Sequence, residues 1–271
     1  MDRTEHIHAL RQVLTRLDPT GQAGGMNRFA FGEAALDAQL GGGLARGAVH
    51  EVFAPITPAA PAAAGFVTGL VLRAAGAKGH VVWIRQRHAQ EETGKLYPQG
   101  LAEMGLMPEN LTLVLVKDIT DVLRAGLEAA RCPALGAVVI EPWGHSKHLD
   151  MTATRRLSLA GGETGVTSFL FRVAAEPEPS AAATRWQVRG HPSRPLAAGA
   201  PGFPAFEAAL LRHREGLAQT LWYLEWDRDT LRFRARPEKV DAGFAANPAL
   251  SGAVAPLLLD GPAASQFGHT G

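Results

Sequence analysis

Cysteine occurs once in the 271 residues, at Cys132, which excludes an intrachain disulfide and any cysteine-based metal site and suits a reducing cytoplasm. Lysine is nearly as scarce, with five residues against 22 arginines. The basic charge is therefore almost all guanidinium, the better group for interface and phosphate contacts. Neither sign dominates: 27 basic and 26 acidic residues leave a net charge of +1, so no global field points to nucleic acid. A signal peptide and an apolar run of about 18 residues are not evident, so the expectation is a soluble, cytoplasmic protein with no membrane association. What is present is 46% hydrophobic sequence, enough for one large α/β domain or a domain with appendages.

The most informative absence lies in one stretch. Ala48 to Phe53 alternates like a strand, and Ala62 to Ala75 is an Ala-rich run that predicts a helix. Strand, short loop and helix N-terminus form the usual phosphate cradle, with amide groups and the helix dipole aimed at the anion. A working phosphate-binding loop needs G-x-x-x-x-G-K-[ST], in which the glycines let the backbone wrap, the lysine reaches the β/γ oxygens and the hydroxyl holds Mg²⁺. Here the loop contains Ala54, Pro55, Thr57, Pro58, Ala60 and Pro61; no glycine appears before Gly65, and no lysine lies between Val52 and Ala77. Three prolines also remove three amide donors. No nucleotide or metal cofactor is expected.

Around this stretch the chain divides into residues 1–26, 27–234 and 235–271. In the first, Ile7, Leu10, Leu14 and Leu17 make an apolar stripe on a short helix, followed by a Gly-rich linker. That stripe either packs on a partner or folds back on its own domain. In the second, a brief helix ends at Gly41 to Gly43, and a strand, HVVWI, covers His80 to Ile84. Leu96 to Met104 predicts a helix, Leu111 to Val116 a strand, Ile119 to Ala130 a helix, and LGAVVI another strand ending at Ile140. Asp150 to Leu159 predicts a helix and Val166 to Val173 a strand. This alternation implies a mostly parallel sheet flanked by helices. Trp186 to Val188, Phe206 to His213, Thr220 to Trp226 and Leu231 to Arg234 then suggest an antiparallel β extension of the same sheet. The Ala/Gly/Pro-rich third segment reads as a loosely ordered tail.

Three further features attract functional readings. Glu141 ends a buried strand, where an NTPase would offer a magnesium-binding carboxylate. His145, Lys147, His148, Arg155 and Arg156 form a basic group that suits either DNA contact or a solvated helix face. His145 and His148 have metal-ligand spacing, but no third ligand is in view. Trp222, Leu224 and Trp226 share one strand face, which fits a core face or an aromatic binding patch.

Taken together, the layout resembles a RecA-type recombinase core. More narrowly it resembles the ImuA family of inducible mutagenesis proteins, also labelled SulA-like. The resemblance rests on LDAQLGGGLARGAVHEVF at Leu36 to Phe53, on Leu96 to Glu141 with its Pro-Glu-Asn-Leu turn at Pro108 to Leu111, and on Arg155 to Ala160. The ImuA-like features are the eroded loop, VVWI, and TRWQV at Thr184 to Val188 followed by Leu221 to Trp226. It covers roughly residues 30 to 230. It implies that the phosphate-binding glycine, lysine and hydroxyl fall in Ala54 to Ala62, where none is in place. Aligning Ile84 with the end of RecA's second core strand puts Arg87 where RecA has its catalytic glutamate. The segment Ala174 to Ala183, with Glu176 and Glu178, corresponds to the second DNA-binding loop.

The resemblance further implies a non-catalytic accessory protein of SOS-induced translesion synthesis. Its partners would be an ImuB-like inactive Y-family polymerase homologue, an error-prone C-family DNA polymerase and RecA. Candidate partner surfaces are the Ile7, Leu10, Leu14, Leu17 stripe and Trp222 with Trp226. Candidate DNA contacts are Lys147, Arg155 and Arg156. The alternatives are a DNA-dependent ATPase of RecA type and a SulA-like cell-division inhibitor.

Overall fold

The computed structural model describes residues 27–76, 79–197, 200, 202–217 and 219–236. The Ile7, Leu10, Leu14, Leu17 stripe and the tail beyond Arg236 lie outside the described residues.

The chain runs through β1 (Arg28–Phe29), α1 (Ala34–Gln39), β2 (Leu44–Ala45), β3 (Val49–Ala54), α2 (Ala60–Ala75), β4 (Val81–Gln86), α3 (Arg87–Thr93) and α4 (Pro98–Glu103). It continues through β5 (Leu111–Val116), α5 (Ile119–Ala130), β6 (Ala137–Glu141), α6 (Met151–Thr164) and β7 (Thr167–Val173). It ends with β8 (Thr184–Gly190), β9 (Ala205–His213), β10 (Thr220–Asp227) and β11 (Arg232–Ala235).

Nine strands make one sheet in the order β11-β10-β9-β8-β3-β7-β6-β4-β5, and β1 pairs with β2 in a separate ribbon. From β8 to β5 every pairing is parallel; from β8 to β11 every pairing is antiparallel. β8 is thus the pivot, parallel to β3 on one side and antiparallel to β9 on the other. The mixed α/β architecture with an antiparallel extension is the one the strand–helix alternation implies.

Burial follows position in the sheet. Every residue of β3, β6 and β7 is buried, as expected for strands covered on both faces. α2 lies on one face against Phe31, Trp186, Phe206 and Phe233, while α5 and α6 cover Val138, Ile140 and Leu170 on the other. Asp118 caps α5 through the Asp121 amide and Asp150 caps α6 through the Ala153 amide, which fixes where each helix starts.

Two expectations need correction here. Residues Thr57–Ala75 form one helical run of 19 residues with mean hydropathy 1.2, long and apolar enough to cross a membrane by length and composition. The run is 61% buried within the protein, as the central core helix of the fold. Trp226 is not a partner surface: it is fully buried, its indole Nε1 donates to the Met104 carbonyl at 2.9 Å, and its ring meets Phe233 edge-on. Trp222 is half-buried and packs against the same core.

Candidate functional site

β3 leaves the sheet at Ala54 and the chain reaches α2 through a single 3-10 turn, Thr57–Ala59. Within that turn the Ala59 amide donates to the Ile56 carbonyl and the Ala60 amide to the Thr57 carbonyl. Pro55, Pro58 and Pro61 have no amide hydrogen. Between Pro55 and Pro61, only Ile56 and Thr57 keep an amide outside the turn's own hydrogen bonds. The strand–loop–helix geometry of a phosphate site is present, but most of the loop amides that would grip an anion are missing or used within the turn.

Beside the first turns of α2 opens a cleft of about 320 Å³, lined by Ala60, Ala64, Gly65, Lys95, Tyr97 and Leu101 among others. Its floor is Arg85 and Glu141. These residues are register partners on the adjacent parallel strands β4 and β6. Arg85 Nε donates to Glu141 Oε1 at 2.9 Å, and the Trp83 indole donates to Glu141 Oε2 at 2.8 Å. Both oxygens are occupied, and the carboxylate is fully buried.

The remaining donors of Arg85 tie down α3. Its Nη1 donates to the Gly94 carbonyl at 2.7 Å, and its Nη2 donates to the Ala89 carbonyl and the Thr93 hydroxyl. Burial pushes the Glu141 carboxyl above its ordinary pKa, opposed by the Arg85 charge and by the hydrogen bonds from Trp83 and Arg85. A magnesium-binding acid needs a free oxygen facing the ligand. This one is held in a buried ion pair instead.

Arg87, which the resemblance puts where RecA has its catalytic glutamate, is exposed at the start of α3. β4 runs two residues beyond Ile84, so the cation that meets Glu141 is Arg85. The sequence did carry a signal for this pair: VVWIR and VVIE are both buried parallel strands, and each ends in a charge of opposite sign.

The segment from 174 to 183 crosses from the end of β7 to the start of β8 and is pinned over its second half, from Glu178 onward. Ser180 Oγ donates to Glu51 at 2.9 Å, Arg185 Nε donates to the same carboxylate at 2.8 Å, and the Ala181 amide donates to Thr154 Oγ1 at 3.0 Å. Glu178 Oε1 lies 3.1 Å from His145 Nδ1, so that imidazole of the expected basic group faces the carboxylate of this segment.

Lys147, Arg155 and Arg156 are all exposed, and the two arginines line separate grooves. Arg156 and His148 line a groove between α5 and α6 with Leu123 and Leu127, whereas Arg155 faces a different cleft with Arg212 and Arg214. Among the described residues, no three His, Cys, Asp or Glu side chains come together as a metal-binding group.

No protein-family model matches the chain, and no curated protein does. Its fold is similar to the crystal structure of the RadB recombinase, with a TM-score of 0.51 and 16% identity over 77% of this chain and 100% of that one. The fold is RecA-like. At that identity the likeness concerns the fold alone.

Proposed function

We propose that this RecA-like chain is a non-catalytic accessory protein of damage-induced translesion DNA synthesis, working in the cytoplasm. It would hold an ImuB-like inactive Y-family polymerase homologue and an error-prone C-family DNA polymerase in one assembly, with RecA as a further partner. The observation that carries the non-catalytic part is the buried Arg85–Glu141 pair. A fold that places phosphoryl-transfer groups elsewhere here uses the strand-end acid as a structural counter-ion, beneath a turn without glycine or lysine. The partner assignment is supported by the ImuA-like segments, TRWQV and the aromatic strand that follows it.

Titrating the full chain with ATP and Mg²⁺, in the presence and absence of single-stranded DNA, tests the first part. The expected result is no saturable binding; micromolar affinity with DNA-stimulated turnover would establish the DNA-dependent ATPase reading, which the RecA-like fold itself favours. Pull-down of the ImuB-like protein by the full chain, and by a chain lacking residues 1–26 and 237–271, tests the second. Unchanged capture after both deletions removes the terminal segments as docking sites, and no capture by the full chain overturns the assembly.

A further inference from the structure

We infer that the cleft between α6 and the start of the antiparallel extension is a binding site for an acidic peptide with interleaved apolar residues. The cleft measures about 470 Å³ and is lined by Met151, Arg155, Ser158, Leu159, Ser180, Ala181, Arg212 and Arg214. This volume is in the range that takes a small ligand or a few residues of peptide. Three guanidinium groups line it and no carboxylate does.

The nearby acids are engaged elsewhere. Glu51 is held by Arg185 and Ser180, Glu178 by His145, and Glu215 by Arg28 at 2.5 Å. Arg155, Arg212 and Arg214 have no ion-pair partner among the described residues. Arg212 is nevertheless fixed in place, because its Nη1 donates to the Ser180 and Ala182 carbonyls at 3.2 and 3.3 Å. That leaves its other nitrogens without a protein acceptor among the described residues, in a side chain already ordered before any ligand arrives.

The chemistry of the rim separates a peptide from a nucleic acid. Guanidinium groups pair bidentately with carboxylate or phosphate alike, so the arginines alone do not choose. Single-stranded nucleic acid also needs aromatic platforms on which its bases stack, and this cleft has no aromatic residue in its lining. It offers instead Met151 and Leu159, 47% and 61% exposed, beside the charges. Acidic groups spaced by leucine-like side chains satisfy both halves of that surface; a sugar–phosphate backbone satisfies one.

The test uses the full chain and a fluorescein-labelled peptide alternating glutamate with leucine, read by anisotropy. A glutamate–serine peptide and oligo(dT) serve as competitors. The expected result is saturable binding that weakens about tenfold in Arg155→Glu and again in Arg214→Glu, and is less sensitive to Arg156→Glu, whose side chain lines the other groove. The glutamate–serine peptide competes more weakly than the labelled one. Thermal melts of each variant confirm that these exposed positions leave the fold intact. The inference is overturned by absence of peptide binding, by binding that Arg155→Glu and Arg214→Glu leave unchanged, or by oligo(dT) binding more tightly than the peptide and being lost in the same two variants. None of these outcomes depends on ATP binding or on capture of the polymerase homologue.

Discussion

Arg85 and Glu141 sit opposite each other on neighbouring parallel strands, and their side chains meet at 2.9 Å with 4% and 1% of their surfaces exposed. Breaking such a pair is costly because it leaves one charge buried without a counter-ion, whereas replacing both partners with apolar side chains is often neutral. Arg85→Met alone is therefore expected to destabilise the protein by about 3–5 kcal/mol in urea unfolding, and Arg85→Met with Glu141→Leu to recover only part of that loss, because the Arg85 bonds to α3 and the acceptor of the Trp83 indole stay lost. Neither variant should gain ATP affinity, because the turn above the pair still lacks its lysine and glycines. A single variant as stable as the wild type would show that the two charges do not depend on each other.

A second prediction concerns acid. His50 lies fully buried on β3, its ring nitrogens bonded to Thr184 Oγ1 and to the Ala45 carbonyl, each at 2.8 Å. Burial lowers its pKa from the ordinary 6.5 to about 4, assisted by the positive charges of His213 and Arg28 and opposed by the Ala45 hydrogen bond. The unfolded chain takes up this proton below pH 6.5 and the folded chain does not until about pH 4. The contribution of His50 is thus complete above pH 6.5 and is lost as pH falls from 6.5 to 4, by about 3 kcal/mol. Urea midpoints at pH 7 and pH 4.5 should differ less in His50→Gln than in the wild type. Some slope should persist, since burial also lowers His191 and His213.

The parallel core was legible because β6 opens on an unbroken apolar run, AVVI, and β3 and β7 carry β-branched and aromatic residues between their few polar ones. The proline-rich turn was legible because glycine and lysine leave a visible gap. α3 was not, since Arg87–Thr93 has one buried residue, Ala89, and no apolar stripe. Its carbonyls and Thr93 are held from outside by Arg85, a tertiary contact that no local pattern encodes. α6 runs five residues past the expected end at Leu159, through Gly161 and Gly162. A Cβ at Gly161 would stand 2.7 Å from the Gly47 and Val166 carbonyl oxygens, so glycine is there for close approach. The termini, where the partner-binding stripe was placed, fall outside the described residues.

Gly65 and Gly69, one turn apart on α2, should respond oppositely to alanine. A Cβ on Gly69 would lie 2.6 Å from the Phe233 ring and 2.9 Å from Trp226, inside the contact that docks the antiparallel extension on the core helix. A Cβ on Gly65 would meet Phe206 at 3.4 Å, an ordinary contact. Gly69→Ala is expected to cost about 1–3 kcal/mol through overpacking, exceeding the helix-propensity gain of about 1 kcal/mol. Gly65→Ala keeps that gain and should be neutral or stabilising. Chemical unfolding of the two variants side by side measures the contrast, and equal destabilisation would contradict the packing.

The far edge of the sheet gives the last prediction. β5 is a terminal strand with the sequence LTLVLV, without proline or charge, and it leaves Leu113 and Leu115 about two-fifths exposed at 41% and 40%. An apolar strand with one side of its backbone unpaired is a template for another strand, and proteins usually blunt such edges with lysine, proline or a covering element. Below Leu113, a pocket of about 180 Å³ lined by Leu96, Pro98, Leu101, Leu106 and Pro108 adds further apolar surface to the same edge. Leu113→Lys with Leu115→Lys should therefore reduce concentration-dependent association in sedimentation velocity. Because both side chains are partly exposed, stability should change by no more than about 0.5 kcal/mol per site. Association that persists unchanged in the double variant would mean that the copies meet through some other surface.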